Sequence, residues 1–163
     1  MSKKDRQMIV GLQCFVKKSG KYLMLKRHES KQIMPGVWMA PGGTREFTEG
    51  LFSCARREIL EETGLKIKNL SVRAVGTAFL KDINQEIHFH FLTADFSSGK
   101  LKPETGVGKL MWLKPTEILQ LENLLSEHKR ILPHVFGKDP RVVSFRCVYS
   151  KGNDLEEIVV ESP

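Results

Sequence analysis

The sequence predicts an α/β fold in which a mixed β-sheet is layered with two or three helices. Apolar runs rich in β-forming residues recur between turn-like segments, one segment has clear helical spacing, and hairpin patterns occur near both ends. Hairpins require antiparallel neighbours, so the sheet cannot be purely parallel. The chain has 163 residues, a length that fits one compact domain, and we expect residues 1–163 to form it.

The N-terminal region is predicted to contain a hairpin and a short strand. Residues 8–16 are apolar, KKSGK after them is turn-like, and YLMLKR supplies the returning strand. HESKQIMPG predicts a loop, and VWMAPGG predicts a short strand that ends in a glycine pair. The charged start, MSKKDR, is followed by only a short apolar run without a small-residue cleavage site, which favours a strand over a signal peptide.

Residues 49–63 form the clearest predicted helix. Thr48 is the candidate N-cap, and Gly64 is placed to end the helix in a left-handed conformation. The expected core face consists of Leu51, Phe52, Ala55 and Ile59.

The rest of the chain alternates strands with short helices. Strand patterns cover 67–81 and 86–95, and the loop SSGKLKPETGVGK leads to the strand LMWLK and the short helix PTEILQL. Residues 124–136 predict another helix, with Pro133 in its last turn. RVVSFRCVYS and LEEIVVES, joined by KGND, indicate a final hairpin.

Composition restricts the class of partner. The net charge of +7 and the pI near 9.4 favour anionic partners such as nucleotides, nucleic acid or acidic surfaces, although solubility alone is an equally good explanation. No apolar run approaches the roughly 20 residues of a membrane span. Cys14, Cys54 and Cys147 are odd in number and lack metal-ligand spacing. They predict buried free thiols in a reducing cytosol, and hence a cytoplasmic protein.

Three carboxylates, those of Glu58, Glu61 and Glu62, lie on adjoining faces of the predicted helix. Like charges at this spacing cost about 0.2–0.5 kcal/mol per pair, so ion pairs or a bound cation should offset them. Hard oxygen donors without histidine or cysteine favour Mg²⁺ or Mn²⁺ over zinc. Because Mg²⁺ completes its shell with substrate phosphates, a substrate that contains a diphosphate is the natural complement.

The flanking residues support a site around these carboxylates. The pair Gly42-Gly43 lets the backbone approach an ion closely, because no side chain intervenes. Arg57 is placed to pair with Glu49 and fix the loop against the helix. The alternative is an ordinary solvated helix face on which Arg57 pairs with Glu61.

This stretch resembles the signature of the Nudix hydrolase family. It matches the family's seven fixed identities and two aliphatic positions, which are Gly43, Glu49, Arg57, Glu58, Ile59, Glu61, Glu62, Gly64 and Leu65. A chance match of seven identities has odds on the order of 10⁻⁸ at average residue usage. The resemblance implies a Nudix-type α/β/α sandwich with a mixed sheet and a catalytic helix at about 49–63.

The resemblance also implies roles for individual residues. It implies hydrolysis of a nucleoside diphosphate linked to another group, with Mg²⁺ or Mn²⁺ as cofactor. The metal ligands would be Glu58, Glu62, the Gly42 carbonyl and Glu61, and Glu61 or Glu62 would activate water. The catalytic set is Glu61, Glu62, Arg57 and Glu49.

A looser resemblance to the MutT-related diphosphatases, which cleave 8-oxo-dGTP, extends over nearly the whole chain. Those enzymes carry a further glutamate five residues before a tryptophan, and Val107 stands at that place before Trp112. Glu104 is therefore the candidate for a more distant metal ligand. Met39 follows Trp38 where some relatives have an asparagine that reads the base.

Candidate substrate-binding residues are Trp38, Arg27 and Phe89. Phe91 and Trp112 are further aromatic candidates for stacking on a base, with core packing as the alternative. His88 and His90 alternate on one strand, and the region of Glu127 and His128 corresponds loosely to acidic positions that contact the base in relatives.

Four functions remain open on the sequence. The leading one is a nucleoside triphosphate pyrophosphohydrolase, for oxidised purine nucleotides such as 8-oxo-dGTP. The others are an RNA 5′-pyrophosphohydrolase, a dinucleoside polyphosphate or nucleotide-sugar hydrolase, and a nucleotide-binding module without catalysis. The sequence does not predict an oligomeric state.

Overall fold

The computed structural model describes residues 7–151 and 154–163. A 3-10 turn at Lys81–Ile83 separates two long strands. In chain order, the strands and α-helices are β1 (Ile9–Lys18), β2 (Lys21–Arg27), β3 (Trp38–Met39), β4 (Gly42–Thr44), α1 (Leu51–Thr63), β5 (Leu65–Leu80), β6 (Gln85–Gly99), β7 (Gly108–Leu113), α2 (Pro115–Leu119), α3 (His128–Val135), β8 (Val143–Tyr149) and β9 (Leu155–Glu161).

The strands form one mixed sheet in the order β3-β2-β1-β6-β5-β8-β9, with β4 also paired to β1 and β7 to β2. β1 with β6 and β5 with β8 are parallel pairs, whereas the hairpins β1–β2 and β8–β9 are antiparallel. The predicted mixed sheet and both predicted hairpins are therefore confirmed. The turn KGND includes Gly152 and Asn153, which lie outside the described residues, as do residues 1–6 of the predicted domain.

Helices cover both faces of the sheet, so the predicted α/β/α sandwich is confirmed. One core lies between the sheet and α1, and it contains Leu12, Cys14, Leu23, Cys54, Ala55, Ile59 and Leu92. The other core lies between the sheet and α2 with α3, and it contains Phe15, Met24, Phe91, Ile118, Ile131, Leu132 and Phe145. Alternation of side chains along β1 sends successive residues to opposite cores.

The pairing of β1 and β2 is short, and this opens a cleft. The two strands pair only beside their turn, through Lys17 with Tyr22 and Lys18 with Lys21. Farther along, β1 pairs with β4, while β2 pairs with β3 and β7. The strands therefore diverge, and the loop that carries the glycine pair enters between them.

Helix α1 begins later than predicted. Thr48 is not the N-cap: its φ is 62°, and Gly50 in an extended conformation precedes the first helical residue. Phe52 is 41% exposed, so its assignment to the core face was wrong. The buried residues Ala55, Ile59 and Thr63 of α1 are spaced four apart and form one row along the helix. Phe52 lies at the edge of this row.

The C-terminal end of α1 agrees with the prediction. Gly64 has φ 79°, and its N–H donates to the Leu60 carbonyl at 2.9 Å. A left-handed residue of this kind lets the chain turn directly into β5.

The third helix is shorter than residues 124–136. Its first residue is His128, because the preceding segment bonds to β3 instead: Trp38 N–H donates to the Asn123 carbonyl and Leu125 N–H to the Trp38 carbonyl. Strands β5 and β6 are longer than predicted, since they pair antiparallel along almost their whole length.

All three cysteines are buried and unbonded to one another, as predicted. Of the helices in the described residues, none has both the length and the apolar character needed to cross a membrane.

Candidate active site

Arg57 ties the loop before α1 to the helix itself. Its Nε donates to Glu49 Oε1 at 2.8 Å, its Nη2 donates to Glu49 Oε2 at 2.9 Å, and Nη2 also donates to the Thr44 carbonyl at 3.1 Å. The hydrogen bonds from Arg57, with one from the Glu46 N–H, lower the pKa of Glu49 to about 2. Glu49 is thus a fixed carboxylate that holds the arginine in place.

The same guanidinium reaches the acidic helix face. Its Nη1 donates to Glu58 Oε1 at 3.0 Å and approaches Glu61 Oε2 at 3.4 Å. Arg57 thus makes both of the pairs that the sequence suggested. It pairs with Glu49, which fixes the loop, and also with Glu61, four residues further along the helix. Arg57 offsets part of the repulsion among the carboxylates, but it leaves Glu62 to other partners.

Glu58 and Glu62 converge on the glycine pair. Gly42 N–H donates to Glu62 Oε2 at 3.1 Å. A Cβ added to Gly43 would lie 2.3 Å from the carboxyl carbon of Glu58, so only glycine leaves room for that carboxylate. The loop backbone and two helix carboxylates therefore meet at one place, which we call the acidic end.

Burial makes these carboxylates unusual. It raises the pKa of Glu62 to about 7; the Gly42 N–H opposes this shift, and the charge of Glu58 adds to it. Burial also raises the pKa of Glu58, against the effect of Arg57. Two carboxylates whose charge is poorly solvated are suited to a cation, because it would supply the stabilisation that water does not.

Glu61 stands apart from this pair, since its side chain is 60% exposed. Within residues 7–151 and 154–163, no three histidine, cysteine, aspartate or glutamate side chains form a ready metal-binding group. Two carboxylates beside a glycine backbone still fit Mg²⁺ or Mn²⁺, which is commonly held through one or two carboxylates, waters and substrate phosphates.

Glu104 is not brought to the acidic end by any contact of the described residues. Its side chain is 56% exposed, and its Oε1 lies 3.9 Å from Nε2 of His28. Val107, which stands where the MutT-related diphosphatases carry a glutamate, lines the same cavity as Glu62.

The candidate cleft consists of two adjoining cavities, of which the first lies where β1 and β2 separate and the second lies over β5, β6 and β8. The first, of about 160 Å³, contains Gly42, Gly43 and Glu62. The second, of about 270 Å³, reaches Glu127 and Tyr149. The two share the lining residues Arg27, Met39, Thr44, Ile87 and Phe89. A single cleft therefore runs from the acidic end to the Glu127–Tyr149 pair, which we call the inner end.

The inner end combines one polar pair with apolar walls. Glu127 is 3% exposed, and its Oε2 accepts a hydrogen bond from the Tyr149 hydroxyl. Burial raises the pKa of Glu127, while the Tyr149 hydrogen bond opposes the shift. Burial in this environment favours the neutral carboxylic acid, which can both donate and accept a hydrogen bond.

Of the three predicted substrate-binding residues, Arg27 and Phe89 line both cavities. Trp38 instead packs against the core, and its neighbour Met39 lines the cleft. Successive side chains of a strand point to opposite faces, so only one of the two can face the cleft.

The other aromatic candidates pack in or against the core. Phe91 is fully buried and stacks on Phe145, with ring centroids 5.4 Å apart, whereas Trp112 is partly buried and packs against the core beneath α1. The packing alternative therefore holds for Phe91.

The histidines do not face the described cleft. His88 and His90 contact each other edge to face, with ring centroids 4.9 Å apart. His128 is fully buried between Phe15 and Phe91, and in the described residues neither ring nitrogen has a hydrogen-bond partner. Of the Glu127–His128 region, only Glu127 reaches the cleft.

Sequence reasoning missed Tyr149, Met39 and Ile87 as cleft residues. Tyr149 follows Phe145 and Cys147 on the buried face of β8. That alternation is visible in the sequence, but it indicates only that Tyr149 is buried. Its contact with Glu127 joins residues 22 positions apart.

A family model described as the NUDIX domain matches residues 6–135. The Nudix hydrolase YvcI of Bacillus subtilis, described as uncharacterized, is 32% identical over 112 residues, which are 66% of this chain and 67% of that protein. The nucleoside triphosphatase NudI of Escherichia coli O17:K52:H18 is 26% identical over 127 residues, 71% of this chain and 89% of that protein.

An mRNA cap hydrolase named NUDT17 from Xenopus laevis matches at 41% identity over 56 residues, but these are only 34% of this chain and 19% of that protein. Among solved structures, the mutator MutT protein of Bacillus halodurans has a TM-score of 0.83 and 25% identity, with 95% of this chain and 99% of that chain covered. The family match spans the glycine pair, α1 and most of the sheet, so the chain belongs to the Nudix family of hydrolases.

Proposed function

We propose that this Nudix hydrolase is a nucleoside triphosphate pyrophosphohydrolase, which releases a monophosphate and pyrophosphate. Its proposed substrates are purine nucleotides, including oxidised ones such as 8-oxo-dGTP. The observation that carries the proposal is the single cleft that joins the acidic end to an apolar inner cavity ending at Glu127 and Tyr149. A nucleotide has the same polarity along its length, with phosphates at one end and a base at the other.

The inner cavity has the size of a purine. A cavity of about 150 Å³ binds benzene, so a purine, with nearly twice as many heavy atoms, needs on the order of 270 Å³. The inner cavity measures about 270 Å³. Phe89 and Met39 would contact the faces of the base, and the carboxyl group of Glu127 would hydrogen-bond its edge. Trp38, behind Met39, stays a prediction as a base-contacting residue.

The acidic end would hold divalent ions. Nudix enzymes generally use a divalent metal, and hard oxygen donors suit Mg²⁺ or Mn²⁺. The proposed ligands are Glu58, Glu62, the Gly42 carbonyl and Glu61, with Glu104 as a further ligand that would first have to leave His28. When bound, such an ion neutralises phosphate charge and lowers the pKa of a water ligand.

The chain's own side chains would position the substrate and move the proton. We assign proton acceptance from the attacking water to Glu61 or Glu62. Arg57 and Glu49 would position α1 against the glycine loop. Arg27 lines the cleft between its two ends and interacts electrostatically with Glu62, so its guanidinium is placed to bind the phosphate or sugar oxygens.

The reaction is tested with a panel of normal and oxidised nucleoside triphosphates and Mg²⁺ or Mn²⁺. The expected products are the monophosphate and inorganic pyrophosphate, identified by chromatography. Release of orthophosphate, or no turnover of any triphosphate, would contradict the assignment.

A variant links this reaction to the acidic end. Glu62→Gln keeps the size of the side chain but removes its charge, and we expect turnover to fall by at least about 10²-fold. The matched control is Glu161→Gln on β9, whose carboxylate accepts a hydrogen bond from the exposed Ser144 hydroxyl. Full activity in Glu62→Gln would show that the site lies elsewhere.

A second candidate is hydrolysis at RNA 5′ ends. The local match to the cap hydrolase NUDT17 and the net charge of +7 favour it, although the match covers a third of the chain. Triphosphorylated and capped RNA, dinucleoside polyphosphates and nucleotide sugars therefore belong in the same panel. Faster turnover of RNA than of free triphosphates would replace the first proposal. The intact ligand positions Glu58, Glu61 and Glu62 argue against a binding module without catalysis.

We further propose that residues 1–163 act as one domain and that the protein works in the cytoplasm. Three buried free cysteines support a reducing compartment.

A further inference from the structure

The cleft continues beyond the inner end into a third cavity of about 100 Å³. The second and third cavities share four lining residues, which are Ile33, Met34, Leu80 and Tyr149. Lys81, Asp82 and Ile83, the 3-10 turn between β5 and β6, form the outer wall of the third cavity. The cleft therefore has space on the side of the base that faces away from the acidic end.

The chemistry of this third cavity is largely apolar. Ile33 and Ile83 stand at its opening and are 52% and 57% exposed, although they are large hydrophobic residues. Lys81 is already paired with Glu156 across the rim, and Asp82 is engaged as well. The walls therefore favour an uncharged, apolar group, because a charged ligand would have to compete with these pairs.

Size restricts the occupant. If about 150 Å³ accommodates the six heavy atoms of benzene, a cavity of this size accommodates roughly four. A purine already fills the second cavity by the same measure. The third cavity is too small for a second base or for a folded partner, and it suits a short alkyl or alkenyl chain.

Resting on the proposed function, we propose that the third cavity is a subsite for a short apolar substituent on the six-membered ring of a purine nucleotide. That ring is the part of a purine farthest from the sugar, so a substituent on it would extend away from the acidic end, past Tyr149. The substrate class then includes purine nucleotides alkylated on the base, with up to about four heavy atoms in the substituent.

The test uses nucleoside triphosphates of 6-aminopurine whose amino group carries hydrogen, methyl, propyl, butyl or benzyl. Each methylene that becomes buried should raise kcat/KM about threefold to fourfold up to butyl. Benzyl, with seven heavy atoms, should fall below butyl. A kcat/KM that is flat or falls from methyl onward would overturn the subsite.

Binding measurements separate this inference from the proposed reaction. Dissociation constants of the corresponding monophosphates, measured by calorimetry, require no turnover. If no triphosphate is cleaved but affinity still rises from hydrogen to butyl, the proposed reaction fails and the subsite stands. If triphosphates are cleaved and affinity does not depend on the substituent, the subsite fails and the reaction stands.

Ile83 provides the residue-level test, because it lines the third cavity and is exposed enough to change without unfolding the protein. Ile83→Ser should reduce the advantage of the butyl over the unsubstituted substrate by about tenfold. Ile83→Trp, which fills the opening, should abolish that advantage. Both variants should cleave the unsubstituted triphosphate at the normal rate.

The matched control is Val159→Ser, a β-branched residue on β9 with 37% exposure. It should leave the ratio between the two substrates unchanged. An unchanged ratio in both Ile83 variants would overturn the proposal.

Discussion

Arg57 and Glu49 are joined by two parallel hydrogen bonds of 2.8 and 2.9 Å, across the junction between the glycine loop and α1. Glu49 precedes the helix, whereas Arg57 lies within it. The pair therefore fixes the direction in which α1 leaves the loop, and with it the approach of Glu58 and Glu62 to the glycine pair. A planar guanidinium can make this two-point contact, and an ammonium cannot.

Arg57→Lys should consequently lower kcat/KM by about tenfold or more, because the charge stays but the two-point geometry is lost. Steady-state kinetics with a cleaved nucleotide measures the effect. Arg141→Lys is the control, since Arg141 makes the same two-point contact with Asp139, at 3.0 and 2.7 Å, on an exposed loop. Equal losses in the two variants would mean that the geometry at Arg57 has no special role.

Gly43→Ala should impair activity while leaving the fold intact. The added Cβ would lie 2.3 Å from the Glu58 carboxyl carbon, and that carboxylate can swing away. We expect kcat/KM to fall at least about tenfold, as for a catalytic group displaced by about 1 Å, with little change in melting temperature. Gly106→Ala is the control because its Cβ would meet nothing within 4 Å. Normal activity in Gly43→Ala would argue against a role for Glu58 in this position.

Arg73 is expected to support the inner end from a distance. It is 8% exposed, and its guanidinium donates to the backbone carbonyls of Val135, His134, Gly137 and Asp139, at and beyond the end of α3. Arg73→Met would leave buried carbonyls without donors and should cost about 2–4 kcal/mol of unfolding free energy. Urea unfolding measures this.

The control for Arg73→Met is Arg146→Met. Arg146 pairs with Glu157 at 2.7 and 2.9 Å on the surface, and such pairs contribute at most about 1 kcal/mol. If Arg73→Met lowers the free energy of unfolding no more than Arg146→Met does, Arg73 does not support the inner end.

His128 should make stability depend on pH. Burial lowers its pKa from 6.5 to about 3, so the folded state holds the neutral ring. The contribution of His128 to the free energy of unfolding is complete above pH 6.5 and is lost as the pH falls towards 3. In this range the unfolded chain binds a proton at His128 and the folded chain does not. Between pH 7 and pH 5 the free energy of unfolding should fall by about 2 kcal/mol.

Urea unfolding of His128→Leu and His128→Gln should both show a correspondingly flatter pH response than the original protein. Glu127 does not produce this slope, because its raised pKa makes its own contribution fall as the pH rises above 4.5. A slope that persists in both variants would contradict a neutral buried His128.

Local patterns accounted for much of the site. Gly43, Glu49, Arg57, Glu58 and Glu62 lie within one short stretch, so helix geometry and the loop before it bring them together. Two details in this stretch were wrong. Thr48 is not the N-cap, because the loop before α1 takes a conformation that spacing does not predict, and Phe52 lies at the exposed edge of the helix face.

The positions of other candidates depend on distant contacts. Glu104 lies beside His28, and Trp38 packs against the core while Met39 lines the cleft, so the roles predicted for Glu104 and Trp38 stay predictions. From the sequence, Tyr149 was predicted only to belong to a strand. No local pattern predicts that β8 places the Tyr149 hydroxyl against Glu127.

The sequence by itself determined the family, the mixed sheet and the acidic helix, because these depend on residue spacing over a few turns. Only the tertiary structure decided where the base would lie and how far the cleft extends. β1 and β2 separate after two residue pairs, and the cavities that begin near this opening are lined by segments that are distant along the chain. A cavity is defined by the side chains that surround it, and their proximity arises only when the strands and helices pack.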